Sequence, residues 1–216
     1  HLEILGEAAR ACKTDFHART QYLHLLLYNR PPEESLAEAR SVTVEFPYRS
    51  LSRRLLGVAL AKAGRPEDAL AEFDWVVGLY PDDADMHIAR AESLDQLGEK
   101  TRADAAYATA LGLLEARVPR LLCLQAYGTG RSGCVNELRD TYLSIAHCHK
   151  GGGAFAEALE AYRSAGEYGD PWGAAALGER EMLECLGRED EAKAIPYPVN
   201  TGLQDPEGTP QADGGA

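Results

Sequence analysis

Leu56-Gly57-Val58-Ala59-Leu60-Ala61-Lys62-Ala63-Gly64-Arg65-Pro66-Glu67-Asp68-Ala69-Leu70-Ala71-Glu72-Phe73, closed a few residues later by Pro81, decides how this chain is read. Apolar residues recur at helical spacing on both sides of Gly64, which predicts two helices joined by a tight turn. Gly57 and Ala69 are small where one helix of an antiparallel pair must press against the other. Leu60 and Phe73 fill the space beside them. Pro81 stops the second helix, because proline has no N–H to donate.

The pattern repeats at a spacing of 34 residues. Displaced backwards, Pro66-Glu67-Asp68-Ala69-Leu70-Ala71-Glu72 falls on Pro32-Glu33-Glu34-Ser35-Leu36-Ala37-Glu38, and Pro81 falls on Pro47. Displaced forwards, Gly57, Leu60, Gly64, Ala69 and Phe73 fall on Ala91, Leu94, Gly98, Ala103 and Tyr107. A later unit, starting near Arg139, puts Ile145-Ala146 at the Leu-Gly pair and Gly153 at the turn. Ala158 and Tyr162 take its second-helix contacts, and Asp170-Pro171 its end. A last, partial unit has Gly187 at the turn and Ala192 at the small position, and breaks at Pro196.

Leu56-Gly57, Leu60, Ala69, Phe73 and Pro81 resemble the tetratricopeptide-repeat pattern, with Arg53 standing where its tryptophan would be. The resemblance covers residues 16 to 195 with one interruption. It implies an all-α, right-handed solenoid of antiparallel helix pairs, with units 16–49, 50–83, 84–117 and 139–172, a partial unit 173–195 and a helical insertion at 118–138. Residues 1 to 13, with Leu2, Leu5, Ala8, Ala9 and Cys12 at helical spacing, predict a helix before the first unit. It reads either as the second half of a repeat or as a capping helix. Ser41-Val42-Thr43-Val44-Glu45-Phe46 alternates like a strand, but the repeat places it on a helix, and β-branched residues only mildly disfavour that. The stretch 196–216, rich in Pro, Gly, Asp and Thr, has too little apolar surface to offset its ordering entropy and predicts a disordered tail.

Composition narrows the function. The chain has 216 residues, 45% hydrophobic and 26% charged, which suits a folded domain or a short array. A net charge of -12 argues against a general nucleic-acid binder, since neutralising phosphates needs a basic face. Five scattered cysteines without a C-x-x-C spacing argue against a disulfide framework and for a reducing cytoplasm. No apolar run is long enough for a membrane span. The chain opens on His1 rather than Met, which reads as a piece of a longer protein.

Two local motifs invite chemistry that their contexts refuse. Gly128-Thr129-Gly130-Arg131-Ser132-Gly133 has the G-x-G-x-x-G spacing that brings backbone close to a pyrophosphate. The preceding Leu121-Leu122-Cys123-Leu124-Gln125-Ala126 has no β-branched residue and follows Pro119, a helix-start signal. The acidic residue expected about 20 positions on is missing, with Gly151 to Gly153 in its place. The stretch is therefore read as a loop between an inserted helix and the next unit. His147-Cys148-His149 offers three metal-ligand types, but residues two apart on a helix point about 200° apart and do not share one ion. By register His149 takes the place of Leu60 and faces the interior, while His147 faces the groove. No metal and no cofactor are expected.

The resemblance implies a non-catalytic scaffold or adaptor that binds a protein or peptide segment in the concave groove lined by the first helix of each unit. By register the groove carries His17, Thr20, Gln21, His24 and Tyr28, then Arg54 and Lys62, then Asp85, Glu92, Asp95 and Gln96, and in the fourth unit Asp140, Ser144, His147 and Lys150. The acidic residues of the unit 84–117 predict preference for a segment carrying Lys or Arg. Family members that clamp a C-terminal carboxylate use Lys, Asn and Arg at set positions, which here hold Thr20 and His24, Leu55, Asp85 and Ala89. That clamp is absent. The other class left open is a regulatory or targeting C-terminal module of a larger enzyme or nucleotide-dependent regulator. Neither nucleic acid nor membrane is an expected partner, and the oligomeric state is not readable from the sequence.

Overall fold

Helix starts and stops follow the punctuation of the sequence. The computed structural model describes Gly6 and residues 14–127, 131–171 and 173–196. The helices are α1 (Phe16–Asn29), α2 (Pro32–Glu45), α3 (Ser50–Lys62), α4 (Pro66–Leu79), α5 (Ala84–Gln96), α6 (Lys100–Ala126), α7 (Arg131–Gly151), α8 (Phe155–Glu167), α9 (Ala174–Cys185) and α10 (Glu189–Ala194). Among the described residues there is no strand, and no helix is long and apolar enough to cross a membrane. The strand-like 41–46 ends α2, as the repeat requires.

Asp15 and Asp83 accept hydrogen bonds from the N–H groups of Ala18 and Met86, at 3.1 and 3.3 Å, and so cap α1 and α5. Pro32 and Pro66 open α2 and α4, followed by carboxylates (Glu33 and Glu34, Glu67 and Asp68) that favour the positive helix end. Four pairs turn on a glycine with positive φ: Gly64 at 69°, Gly98 at 75°, Gly153 at 78° and Gly187 at 72°. After each, an N–H reaches back to the first helix: Arg65 to Leu60, Glu99 to Leu94, Ala154 to His149 and Arg188 to Leu183, at 2.8 to 3.0 Å. One turn is thus made four times.

The small position is buried to 1% exposure or less in every unit, by Ser35, Ala69, Ala103, Ala158 and Ala192. Ser35 is polar there, and its hydroxyl donates to the Pro32 carbonyl at 2.9 Å. A Cβ on Gly57 would lie 2.4 Å from Cε1 of Phe73, so that glycine is the price of a buried phenyl ring. Leu23, Leu27, Ala39, Leu55, Leu56, Leu60, Ala69, Phe73, Val76 and Met86 form one continuous core through α1 to α5.

The chain divides into two compact units, His1–Leu113 and Leu114–Ala216. Within the first, α1 packs on α2, α2 on α3, α3 on α4 and α4 on α5. The first helices also meet (α1 with α3, α3 with α5), whereas α2 and α4 do not meet among the described residues. The stack therefore bends with its first helices on the inner side. Within the second, α7 packs on α8, α8 on α9 and α9 on α10, and α7 also meets α9.

The interruption differs from its expected form. Pro119, read as a helix start, lies inside α6. Among the described residues the interruption is helical, as expected, but is shared between its neighbours: the second helix of the third pair runs on to Ala126, and α7 begins at Arg131 rather than near Arg139. The reason is a missing stop. Where Pro47 and Pro81 end the equivalent helices, the chain carries Glu115, which continues a helix. Gly133 is helical and exposed, at the start of α7. Residues 128–130 of the glycine motif, the tail from 197, and all of residues 1–13 except the helical Gly6 lie outside the described residues.

Candidate functional site

Position four of the first four helix pairs, where the repeat pattern has tryptophan, is rebuilt from polar groups. In the first pair Arg19 is buried and donates to Glu38 at 2.8 Å, to the Ser41 hydroxyl at 2.9 Å and to Glu45. Its counterpart Arg53 donates to Glu72 at 2.9 Å and to the Pro47 carbonyl at 3.3 Å, and lies over the Trp75 ring at 4.6 Å. In the third pair His87 Nε2 sits 2.9 Å from the Pro81 carbonyl, the contact that Arg53 makes to Pro47. In the fourth, Tyr142 stacks on Tyr168 with ring centroids 5.8 Å apart. These groups pin the first helices of the first four pairs, and thereby aim their exposed faces.

On that face in the first unit, His17, Gln21, His24 and Tyr28 are exposed along α1, at spacings that keep them on one side. Thr20 is buried, its hydroxyl donating to the His17 carbonyl at 3.0 Å, so it does not line the groove. Tyr28 is 78% exposed, and Lys62 of α3 reaches over its ring at 4.8 Å while donating to the Leu27 carbonyl at 2.9 Å. The predicted residues Tyr28 and Lys62 are thus brought together.

The charges of α3 and α5 are more engaged than the sequence suggests. Arg54 donates to Asp83 at 2.9 Å and lies 3.8 Å from Asp85. Asp95 lies 3.5 Å from Lys100, which also pairs with Asp104 at 3.1 Å. The hydrogen bond to Asp104 holds the Lys100 ammonium above the ordinary lysine range, against the effect of burial and with help from the charge of Asp95. Glu92 and Gln96 are exposed on α5. Sequence reasoning missed the apolar residues of the face. Leu51, Val58, Ala61 and Ile88 are half-buried there, and the 34-residue register marks them, since Val58 is the counterpart of His24 and Ile88 of Arg54.

In the second unit Asp140 is exposed and pairs with Arg139 at 2.9 Å, and Ser144 and His147 are half-buried. Lys150 of α7 meets Glu181 of α9 at 2.7 Å. Burial works against the Lys150 charge, but the hydrogen bond and charge of Glu181 outweigh it and raise the ammonium above its ordinary range. Burial pushes the nearby Tyr162 phenol up, partly offset by Lys150. His149, expected in the interior, is only half-buried, and Cys148 beside it is buried. Among the described residues no group of three or more His, Cys, Asp or Glu side chains is placed to hold a metal ion.

No family model matches the sequence, and no curated protein does. Solved structures do. Over 90% of this chain and 37% of the other, the fold is similar to that of yeast Tom70, with a TM-score of 0.57 and 13% identity. MamA from Desulfovibrio magneticus RS-1, matched over 83% of this chain and 90% of the other, gives a TM-score of 0.49 at 18% identity. YrrB, described as a TPR protein with an unusual peptide-binding site, gives 0.47 at 13% identity over 90% of each chain. At these identities the likeness is one of fold.

Proposed function

We propose that this chain, which has the tetratricopeptide-repeat fold, is a non-catalytic interaction module that holds a segment of another protein against the inner face of α1, α3 and α5. The supporting observation is the continuity of that face: the first helices touch one another in succession while α2 and α4 do not. Half-buried Leu51, Val58, Ala61 and Ile88 offer it apolar contact, between exposed His24 and Tyr28 on one side and Glu92 and Gln96 on the other. A ligand side chain there gains by leaving water without displacing a core residue.

The carboxylates of α5 favour a segment that carries Lys or Arg. Its cations compete with Arg54 for Asp85 and with Lys100 for Asp95, so each added pair is of modest worth and is screened by salt. Asp140, Ser144, His147 and Lys150 belong to the corresponding face of α7. Five scattered cysteines without a C-x-x-C spacing support a reducing, cytoplasmic setting.

A partner recovered by affinity capture with the purified chain supplies the test. Its binding should weaken as sodium chloride rises, and Glu92→Lys combined with Asp95→Lys should weaken it roughly tenfold. A partner that binds the double variant as tightly as the parent uses another surface, and the groove assignment then fails.

A further inference from the structure

Two contacts between successive helix pairs are the same contact with its charges exchanged. Asp74 of α4 pairs with Arg90 of α5, Oδ1 to Nε at 2.6 Å, as a charge contact rather than a well-angled hydrogen bond. Arg163 of α8 donates from Nε to Glu179 of α9 at 2.8 Å. Each pair joins the second helix of one unit to the first helix of the next. Asp74 and Arg163 are 89 residues apart, as are Arg90 and Glu179, which is two repeats plus the interruption 118–138. The positions are therefore equivalent and the polarity is reversed. Where α2 meets α3 the same positions hold Arg40 and the buried Leu56, and no such pair is possible.

All four side chains are partly exposed, so neither bridge adds much to the depth of the folded state. Their worth lies in choosing between partners, because a wrong match loses the attraction and gains a repulsion. Repeat arrays need such a choice. The second helices of the two units carry the same kinds of apolar residue, with Ala69 and Phe73 answering to Ala158 and Tyr162. One helix pair can stack on the wrong neighbour, in its own chain or in a second copy.

We propose that the reversed polarity is a register device that rejects mis-stacked and exchanged helix pairs. If α4 packed on α9, Asp74 would face Glu179. If α8 packed on α5, Arg163 would face Arg90. Both wrong matches oppose like charges, and both right matches oppose unlike ones.

The test is refolding of the full chain from urea under reducing conditions at micromolar concentration, with the associated fraction read by light scattering after size exclusion. Asp74→Arg with Arg90→Asp keeps a bridge but gives α4/α5 the polarity of α8/α9. That double variant should melt like the parent and yield a roughly fivefold larger associated fraction. Arg163→Glu with Glu179→Arg should do the same from the other side. The quadruple variant, in which the two contacts again differ in polarity, should return to the parental fraction. Doubles that associate no more than the parent overturn the proposal, as does a quadruple variant that associates as much as the doubles. The unaltered chain supplies a check that does not depend on any variant folding: screening the repulsion with about 1 M sodium chloride should raise its own associated fraction, and an unchanged fraction counts against the device.

Discussion

The first two helix pairs fill the same contact with opposite distributions of volume. In α3/α4 the first helix supplies Gly57 and the second supplies Phe73, and the ring occupies the space where a Cβ would be. In α1/α2 the equivalent residues are Leu23 and Ala39, both fully buried. The large side chain has moved to the other helix. The third and fourth pairs, with Ala91 and Tyr107 and with Ala146 and Tyr162, likewise carry the large residue on the second helix. The first two pairs therefore keep nearly the same summed volume at the crossing, as expected of interiors packed to crystal density.

The largest test of that comparison is exchange. Phe73→Ala should cost about 3–5 kcal/mol by leaving a cavity, and Gly57→Leu should cost about 3 kcal/mol by overpacking. Together they recreate the arrangement of α1/α2, and the double variant should lose about 1–3 kcal/mol less than the sum, read from urea midpoints. Strict additivity would refute conserved volume. In the converse direction, Ala39→Phe alone should cost about 1–3 kcal/mol, because Leu23 already fills the crossing.

The arginines at the tryptophan position sharpen the same contrast. Arg19 has a side chain 7% exposed and serves two carboxylates, whereas Arg53 is 27% exposed and rests partly on Trp75. Arg19→Met should cost about 2 kcal/mol, because Glu38 and Glu45 lose a buried partner. The same change at Arg53 should cost about 1 kcal/mol or less. Equal losses would show that burial does not set the difference.

The smallest expected effect is one of pH, in the fourth pair. Burial raises the pKa of Tyr162, and Lys150 is raised on balance by Glu181. In both cases the folded state keeps a proton that the unfolded chain has lost. The stability they contribute is complete below the ordinary tyrosine and lysine range and is lost as pH rises through the folded values. Tyr162→Phe, which retains the ring, should flatten the alkaline decline of the melting temperature. An unchanged slope would remove Tyr162 from that account.

The helix pairs are legible in the sequence because their crossings tolerate few residues: Gly57, Ala69, Ala158 and the glycine turns carry the period openly. The interruption misleads for a local reason. Pro119 is a start signal taken alone, yet Glu115 upstream gives the helix no reason to stop, and the helix passes through. On the inner face of the first unit, the positions of Tyr28 and Glu92 follow from the register, but the pairings do not. Arg54 turns to Asp83, which belongs to the cap of α5 and not to the face, and such a choice depends on side-chain geometry between units. Val58 and Ile88 escape notice because apolar residues on a helix read as core.

The nearest-neighbour pattern of packing also has a consequence for speed. Tertiary contacts in α1 to α5 join helices next to one another or one apart, and the tie from Lys62 to Leu27 spans 35 residues. Little loop entropy has to be lost before a contact forms, so the relative contact order is low, and chains of this kind fold in the microsecond-to-millisecond range. A pair such as α3/α4 can close before the rest has been searched, and each later pair then docks on a surface already in place.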